Sequence, residues 1–439
     1  MAEGLTDRVR PVSRRGFLGL AAGAAALPIL SACGSSGSSG GGGSAAMKFW
    51  DMPWGSTQYN VEAKKLVEGY KPAASMPSAT YQEIQWANFT QTFSSAVASK
   101  TGPAVSSGGG FQAFQFAKQG VIAYADNVIA TFQKDGTLTD FLPGLVEPMK
   151  TSDGYAAVPW QLDARVFWMR KSLLAKAGVA APKTWDEYTT ACAALKKIGV
   201  YGYSSGSGAG NNLGNQALMG LMINNGGGLW GTDGSLDVTN ERNVEAVDFV
   251  LNLVKEGYVD PASVSYTSDN QNAQWKNNKF AMGIETAGLA DNIGDDTGDL
   301  VVMSPMTGPH GDKGALFYEN NLMMYKNTPS QEGSEAFLEY YIKNMKAYWQ
   351  SNLGTGLPVL KSIVALPAFQ KRANSVKVIK EWQPVSKSMA ARGGALSSKL
   401  GDIDSSTPLF QFAQKVLSGK TTATAALTAL QAGLAPLVK

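Results

Sequence analysis

The sequence predicts an α/β fold, because apolar strand-like runs alternate with amphipathic helical stripes along most of its 439 residues. The first strand-like run begins at Met47, and the apolar residues between positions 59 and 70 recur with helical spacing. Residues 80–86 alternate like a strand, and residues 89–100 return to a helical pattern. A chain of this length accommodates two domains or one large α/β body.

Later helices are marked by their ends. Thr184 is a predicted N-cap, and Glu187 three positions on predicts a capping box. A helical stripe over residues 244–254 is followed by Gly257, a typical helix terminator. Residues 336–345 form a further stripe. Two last helices are predicted over residues 408–434, with Pro408 in the first turn and Gly419 between them.

The N-terminal segment predicts export. Residues 13–18 read S-R-R-G-F-L and resemble a twin-arginine signal, and residues 30–33 read L-S-A-C and resemble a lipobox. The apolar run between them is too short and too rich in alanine and glycine for a comfortable membrane span. We therefore interpret residues 1–32 as a removable signal peptide. Cleavage leaves Cys33 as a lipidated first residue, and two or three acyl chains would hold the protein at the outer face of a bacterial membrane.

The segment after the lipidation site predicts a tether. Residues 34–46 read G-S-S-G-S-S-G-G-G-G-S-A-A, a composition that buries no apolar surface. Such a coil has a root-mean-square reach of roughly 20 Å. A globular body tied in this way stays beside the membrane while it reorients, which suits a binding protein, a surface enzyme or an adhesin equally.

Charge and reactive residues exclude several functions. Removal of residues 1–32 takes away four arginines and two acidic residues and leaves 34 basic and 33 acidic ones, a balance that disfavours nucleic acid as a partner. His310 is the sole histidine and sits in a turn-rich loop, so we expect a solvated side chain. Cys192 follows helical spacing with its apolar neighbours, which predicts a buried core residue. One histidine and one such cysteine cannot form an ordinary zinc site, and no nucleotide or haem motif is present, so no cofactor is expected.

Aromatic and amide side chains are abundant. The chain has ten tryptophans and fifteen tyrosines, and its charged fraction is 17%. Sugar C–H faces stack on aromatic rings, and sugar hydroxyls pair with amides and carboxylates. An aromatic core with a polar surface has the same composition, so this observation leaves both readings open.

A series of landmarks carries a family resemblance. They are S-G-G-G-F at 107–111, L-T-D-F-L at 138–142, D-G-Y-A-A-V-P-W at 153–160, F-W-M-R-K at 167–171, P-K-T-W-D-E at 182–187, K-F-A-M-G-I at 279–284 and G-T-G-L-P-V at 354–359. In this order they resemble the carbohydrate-type extracellular solute-binding proteins of ABC importers, the maltose-binding-protein-like family 1. The resemblance runs over essentially the whole mature chain.

The resemblance implies a two-lobe periplasmic-binding-protein fold of type II. Lobe one would comprise residues 47–161 and 312–352, and lobe two residues 162–311 and 353–439. The chain would cross between them near residues 161–163, 308–313 and 352–353. Ligand in the cleft would close the hinge, and the closed form would be recognised by the permease.

The resemblance also implies where ligand binds, at loops that follow strand ends. The predicted ligand-binding residues are Trp50, Gly109, Gly110, Phe111, Trp160, Gln161, Asp163, Asn211, Trp230, Glu285, Tyr318, Asn320, Gly356, Leu357, Arg392 and Gly393. Asp163 with Gln161 is favoured over Arg165, although all three alternate on one strand face.

Several of these assignments have structural alternatives. The alternatives are a plain turn for the glycines, a helix N-cap for Asn211 or Asn212, and a core position at a strand start for Trp230 instead of a stacking platform. Relatives often carry an aromatic residue after the strand that ends at Glu285, whereas this chain has T-A-G at residues 286–288. One stacking platform is therefore missing, and Glu285 would make a direct polar contact instead.

The sequence thus predicts a monomeric, membrane-anchored binding protein that delivers a sugar to an ABC permease. A secreted glycoside-active enzyme is the alternative, since Asp163 and Glu285 could serve as a carboxylate pair, and an adhesin without a small ligand is a third. We expect Asp163→Ala to remove ligand affinity while leaving the melting point of the unliganded protein nearly unchanged.

Overall fold

A computed structural model describes residues 45–86, 89–393, 396–404 and 406–439. The predicted twin-arginine signal, Cys33 and nearly all of the glycine/serine tether lie outside the described residues. No helix in the described ranges is long and apolar enough to cross a membrane.

Strands and helices alternate through the chain, as predicted. The strands are β1 (Met47–Asp51), β2 (Ala79–Glu83), β3 (Val105–Gly108), β4 (Ile122–Ala123), β5 (Lys150–Thr151), β6 (Gly154–Tyr155), β7 (Val158–Arg170), β8 (Met282–Thr286), β9 (Leu300–Val302), β10 (Ala315–Tyr325), β11 (Leu357–Pro358) and β12 (Ser386–Lys387). The helices are α1 (Thr57–Glu68), α2 (Phe89–Ala98), α3 (Gln112–Lys118), α4 (Asp126–Asp135), α5 (Thr137–Asp140), α6 (Lys171–Lys176), α7 (Trp185–Lys197), α8 (Leu213–Asn224), α9 (Glu241–Lys255), α10 (Ser268–Lys276), α11 (Leu289–Ile293), α12 (Gln331–Asn344), α13 (Ala347–Gln350), α14 (Lys361–Val364), α15 (Pro367–Gln370), α16 (Ala373–Lys377), α17 (Ser398–Asp404), α18 (Thr407–Leu417) and α19 (Ala423–Leu434).

Helix ends mostly follow their sequence signals. Thr184 Oγ1 accepts a hydrogen bond from the Glu187 amide, as an N-cap should. The Glu187 carboxylate, however, accepts from the amide of Lys183 rather than from that of Thr184, so the predicted reciprocal capping box is wrong by one residue. Gly257 has a φ of +70°, the left-handed conformation that ends α9.

The main sheet is mixed. Strands β2 and β3 flank β1 in parallel, and β10 runs antiparallel to β3 and to β7. Two short strands, β11 and β12, extend this part of the sheet along β7 and β10.

Strand β7 is shared by two groups of strands. Its first half pairs with β10, in a register that runs from Val158 to Ala164. Its second half, from Arg165 onward, pairs with β8 and β9. The change of partners lies close to the chain crossing expected near residues 161–163. The division into lobes and its boundaries stay predictions.

The core is rich in aromatic residues. Trp160 is fully buried, and its ring lies 5.5 Å from that of Trp54 and 6.3–6.4 Å from those of Tyr348 and Trp349. Cys192 on α7 is also fully buried and free, which confirms its prediction as a core residue. Burial raises the pKa of its thiol.

Candidate functional site

One cavity of about 400 Å³ lies where residues 161–165 of β7 and residues 318–320 of β10 meet several loops. Eight predicted ligand-binding residues line it: Gly109, Gly110, Gln161, Asp163, Tyr318, Asn320, Gly356 and Leu357. The wall also includes Pro53, Trp54, Trp86, Phe89, Arg165, Asn212, Gln216, Thr286, Ala287, Gly288, Asp291, Asn292, Gly354, Thr355, Arg372, Ser375 and Asp404. A cavity of this size falls in the range of small-molecule sites.

Three aromatic rings form one side of the cavity. The rings of Trp54 and Trp86 meet edge to face at 4.7 Å, and Phe89 packs edge to face on Trp86 at 5.3 Å. The Trp86 side chain is 39% exposed, although its Nε1 is fixed by a 3.0 Å hydrogen bond to the Pro53 carbonyl. A large exposed ring that is held in one orientation inside a cavity can stack against the apolar face of a ligand.

Trp54 is held in place by a buried carboxylate. Its Nε1 donates to Asp51 Oδ1 at 3.0 Å and to Ser107 Oγ at 2.9 Å. The hydroxyl of Tyr59 donates to Asp51 Oδ2 at 2.8 Å. Burial raises the pKa of Asp51 to about 7, even though these hydrogen bonds act in the opposite direction. Asp51, at the end of β1, therefore links α1 through Tyr59 and β3 through Ser107 beneath the aromatic wall.

Alternate residues of β7 form the polar floor. Asp163 Oδ1 lies 2.7 Å from Arg165 Nη1, and Arg165 Nε donates to Gln216 Oε1 at 2.6 Å. The Arg165 guanidinium also lies 5.3 Å from the centre of the Tyr318 ring. Burial opposes the charge of Arg165, but Asp163 and Tyr318 raise its pKa above the ordinary value. The guanidinium is thus permanently charged and held in one orientation.

A second carboxylate approaches this floor from the C-terminal part of the chain. The Tyr318 hydroxyl donates to Asp404 Oδ1 at 2.9 Å. Burial raises the pKa of Asp404 to about 6, while that hydrogen bond and Arg165 hold it down. Elsewhere in the wall, Arg372 Nη2 lies 3.0 Å from Asp291 Oδ2. The cavity wall therefore carries three carboxylates and two arginines, and each arginine already has an acidic partner.

Amide groups complete the floor. Asn320 Oδ1 accepts from the Gly110 amide at 3.1 Å, and Asn320 Nδ2 donates to Gln161 Oε1 at 3.3 Å. Gln161 Nε2 and Thr355 Oγ1 are buried and have no hydrogen-bond partner among the described residues. Two polar atoms at the cavity wall are therefore left for a ligand to satisfy.

Gly356 permits this arrangement. A Cβ at this position would lie 2.6 Å from the Leu162 carbonyl oxygen and would collide with the Gln161 side chain. Glycine therefore allows the loop before β11 to pass directly against Gln161.

The other predicted residues lie away from the cavity. Trp50 is buried and packs edge to face on Phe93 at 5.3 Å, while Trp54 in the following loop reaches the wall. Trp160 is fully buried in the aromatic core. The register between β7 and β10 shifts at this residue, because Pro159 pairs with Asn321 and Gln161 pairs with Asn320. Phe111 is buried, and its ring centre lies 6.0 Å from the ring centre of Tyr318, so it packs beside that residue.

Asn211 and Glu285 do not line this cavity, and both make hydrogen bonds within the protein. Asn211 Oδ1 accepts from the Leu213 amide at the start of α8. The N-cap of α8 is Asn212, whose side chain makes no capping hydrogen bond, and Asn212 lines the cavity. Glu285 is 1% exposed and accepts hydrogen bonds from Ser204, Gln271 and Trp275. Burial raises the pKa of Glu285 to about 6, although the three hydrogen bonds act to lower it. The next residue, Thr286, takes the place at the cavity wall.

Three further predicted residues form a separate structural group. Trp230 is buried and donates from Nε1 to the Met389 carbonyl at 3.1 Å. Arg392 lies 3.0 Å from Asp237, and Gly393 packs so tightly on Gly231 that no side chain would fit. Together they tie the loop after β12 to the segment after α8.

Two further predictions concern His310, which was expected to be solvated, and metal binding, which was not expected. His310 is partly exposed, and its Nε2 lies 2.7 Å from Glu245 Oε2. The described residues include no group of three or more histidine, cysteine or acidic side chains that could hold a metal ion.

The chain is similar to known binding proteins. Residues 53–347 match the family described as bacterial extracellular solute-binding protein. A sugar transporter from Arthrobacter chlorophenolicus A6, solved with bound laminaribiose, is 56% identical, covers 90% of this chain and 100% of its own, and superposes with a TM-score of 0.84. A search of curated proteins returned no match.

More distant structures share the fold. The maltose-bound MalE3 of T. maritima is 18% identical, covers 90% of this chain and 100% of its own, and has a TM-score of 0.72. The GacH receptor of Streptomyces glaucescens is 23% identical, covers 90% and 98%, and has a TM-score of 0.71. These likenesses confirm the predicted type II periplasmic-binding fold. The family consists of binding proteins, which decides against the enzyme alternative. The chain belongs to the bacterial extracellular solute-binding proteins.

Proposed function

We propose that this protein is the lipid-anchored substrate-binding component of an ABC sugar importer, and that it captures laminaribiose or a closely related neutral gluco-oligosaccharide. The observation that carries the proposal is the cavity, in which an aromatic wall with the exposed Trp86 ring faces a floor of amides and a carboxylate. The relative that is 56% identical holds laminaribiose, which supports this choice among sugars.

The charges of the cavity favour a neutral ligand. Arg165 and Arg372 are each engaged by a carboxylate, so neither is available to an anionic sugar without breaking an ion pair. Gln161 Nε2 and Thr355 Oγ1, in contrast, suit sugar hydroxyls, because they can bond without any change in charge. Uronic acids and sugar phosphates should therefore bind poorly.

Calorimetric titration of the purified protein tests the ligand. We expect saturable one-to-one binding of laminaribiose, recovery of the disaccharide intact, and weaker binding of maltose, cellobiose and glucuronic acid. Absence of binding to laminaribiose, together with binding of another solute class, would overturn the proposed ligand.

Delivery to a permease needs a conformational signal. We propose that residues 47–161 with 312–352, and residues 162–311 with 353–439, act as two lobes that close as a monomer around the sugar. Small-angle X-ray scattering with and without laminaribiose should show a smaller radius of gyration for the liganded protein. An unchanged radius at saturating ligand would argue against closure.

The proposed anchor is the acylated Cys33. In cells, the wild-type protein should fractionate with the membrane, and its N-terminal peptide should carry the mass of a diacylglycerol group. Cys33→Ala should release the protein into the soluble exported fraction, while replacement of Arg14 and Arg15 by lysine should block export of the folded chain.

A further inference from the structure

One buried carboxylate lies behind the cavity wall and has no charge partner. Asp51, the last residue of β1, is fully buried and does not line the cavity. The groups that lower its pKa are hydrogen-bond donors, and no cation of the described residues is among them. Burial of a carboxylate that no cation compensates costs stability and raises its pKa. An unfavourable group that the fold retains is a candidate for a functional role.

The side chain of Trp54 depends on this carboxylate for its orientation. Its Nε1 has two acceptors, Asp51 Oδ1 at 3.0 Å and Ser107 Oγ at 2.9 Å. The Ser107 hydroxyl itself donates to Asp51 Oδ1, so the carboxylate also fixes the second acceptor. Ser107 is fully buried and does not line the cavity, whereas Trp54 does. Both hydrogen bonds that orient the Trp54 ring therefore depend on one group behind the wall.

The exposed ring of Trp86 rests on the same loop. The Trp54 ring meets Trp86 edge to face at 4.7 Å, and Trp86 Nε1 donates to the carbonyl of Pro53, the residue before Trp54. The far end of the loop is anchored, because the Ser56 amide donates to the Leu353 carbonyl at 2.8 Å. A loop that is fixed at both ends leaves the orientation of the Trp54 ring, and with it the contact to Trp86, to the carboxylate.

We propose that Asp51 is a positioning residue for ligand binding, which holds Trp54, and through it Trp86, in the orientation that stacks on the sugar. This inference rests on the proposed function and deepens it, because it names a residue that determines affinity without touching the ligand. A ring that is already ordered loses little conformational entropy when a ligand stacks on it. A ring released from its hydrogen bonds has to be ordered again at each binding event, which weakens binding.

Calorimetric titration of laminaribiose in a double-mutant cycle tests the inference. Asp51→Ala should raise the Kd roughly tenfold, because the hydrogen bonds that orient Trp54 are lost. In a Trp54→Phe background, where the ring has no N–H group to orient, the same substitution should change the Kd by less than about twofold. Asp51→Asn should restore most of the affinity, because its amide oxygen can accept from Trp54 and its amide nitrogen can donate to the Tyr59 hydroxyl.

Tyr59→Phe is the matched control. The Tyr59 hydroxyl donates to the other oxygen of the same carboxylate, Asp51 Oδ2, at 2.8 Å, and its side chain is equally buried. This variant should lose stability in urea unfolding and keep the wild-type Kd. Ser107→Ala is a milder substitution for the case that Asp51→Ala does not fold. It removes the second acceptor of Trp54 and should raise the Kd about threefold.

Three results would overturn the positioning role. They are an unchanged Kd in Asp51→Ala and Ser107→Ala, effects of Asp51→Ala and Trp54→Phe that multiply in the double variant, and a loss of affinity in Tyr59→Phe as large as that in Asp51→Ala. Saturable binding of laminaribiose by the wild type leaves the proposed function intact in each case. If the wild type binds another solute and not laminaribiose, the proposed ligand fails, and the same cycle with that solute decides the inference.

Discussion

Asp163 and Arg165, two residues apart on one face of β7, form a 2.7 Å ion pair in which the arginine side chain is 7% exposed and the aspartate 32%. The pair links the cavity wall to the stability of the fold, because the partly exposed carboxylate that lines the cavity also neutralises a buried cation. This relationship changes the expected effect of substituting Asp163.

Asp163→Ala should raise the Kd for the sugar at least about 100-fold, a loss typical of a charged hydrogen-bonding group. It should also destabilise the unliganded protein by about 2 kcal/mol, because Arg165 stays buried without its carboxylate and partial exposure of Asp163 reduces the usual penalty. The unchanged melting point expected from the sequence is therefore revised. Calorimetry and urea unfolding of the variant measure both effects. Asp163→Asn is the control, since it keeps a hydrogen-bonding side chain, and an unchanged Kd in the alanine variant would contradict the assignment.

Trp86→Ala should weaken sugar binding about 30-fold, since the exposed ring offers about 2 kcal/mol of burial to a ligand. Titration should show this loss, and the melting point should change little because the side chain is 39% exposed. Val61→Ala is a suitable control, because Val61 is 47% exposed on α1 and does not line the cavity. Equal affinity of the Trp86 variant and the wild type would show that the ring is not a stacking surface.

Glu285→Ala should lower the free energy of unfolding by about 3 kcal/mol, because Ser204, Gln271 and Trp275 lose a shared buried acceptor. Sugar affinity at a temperature where the variant stays folded should be nearly unaffected, since Thr286 and not Glu285 lines the cavity. Denaturant unfolding and calorimetry separate the two effects. Glu285→Gln preserves an acceptor and should cost less. A large loss of affinity without a loss of stability would restore Glu285 as a direct ligand contact.

Glu319 should make stability depend on pH. Neither of its carboxylate oxygens has a hydrogen-bond partner among the described residues, and burial raises its pKa to about 8. Between pH 4.5 and about 8, Glu319 is therefore protonated in the folded protein. In the unfolded chain its pKa has the ordinary value of 4.5, so the same carboxyl is ionised there. The contribution of protonated Glu319 to the stability of the folded protein is complete below pH 4.5 and is lost as the pH rises towards 8.

Glu319→Gln should accordingly raise the melting point by roughly 3–5 °C at pH 8 and change it little at pH 5. Thermal unfolding at the two pH values measures this difference. Glu332→Gln, at an exposed position in the first turn of α12, should show no such pH-dependent gain. An equal shift for Glu319→Gln at both pH values would mean that the carboxylate does not titrate differently on folding.

The sequence predicted the alternation of strands and helices well, because the apolar period directly reflects which face of each element is buried. Gln161 and Asp163, which the family resemblance implied and the alternation along β7 favoured, both line the cavity. Their role in binding stays a prediction. Trp160 lies at the register shift between β7 and β10 and is buried in the aromatic core, a placement that the sequence pattern did not indicate.

Other positions depend on packing that local pattern does not show. Strand β8 is buried on both faces, so its sequence could not indicate whether Glu285 or Thr286 meets the cavity. Arg372 and Asp404 reach the site from the C-terminal third of the chain, and no local spacing relates them to β7. Trp86 could have been predicted as a site residue from the sequence, because a tryptophan in a short loop after a strand has no obvious position in the core.

The buried state of Cys192 has a practical consequence. Its thiol is inaccessible and its pKa is raised, so it resists alkylating reagents in the folded protein. In a chain that starts after Cys33, a cysteine introduced at the exposed rim residue Asn292 would therefore be the thiol that reacts. A polarity-sensitive dye attached there would report occupancy of the neighbouring cavity as a change in fluorescence, which makes the protein a starting point for an optical sensor of its own ligand.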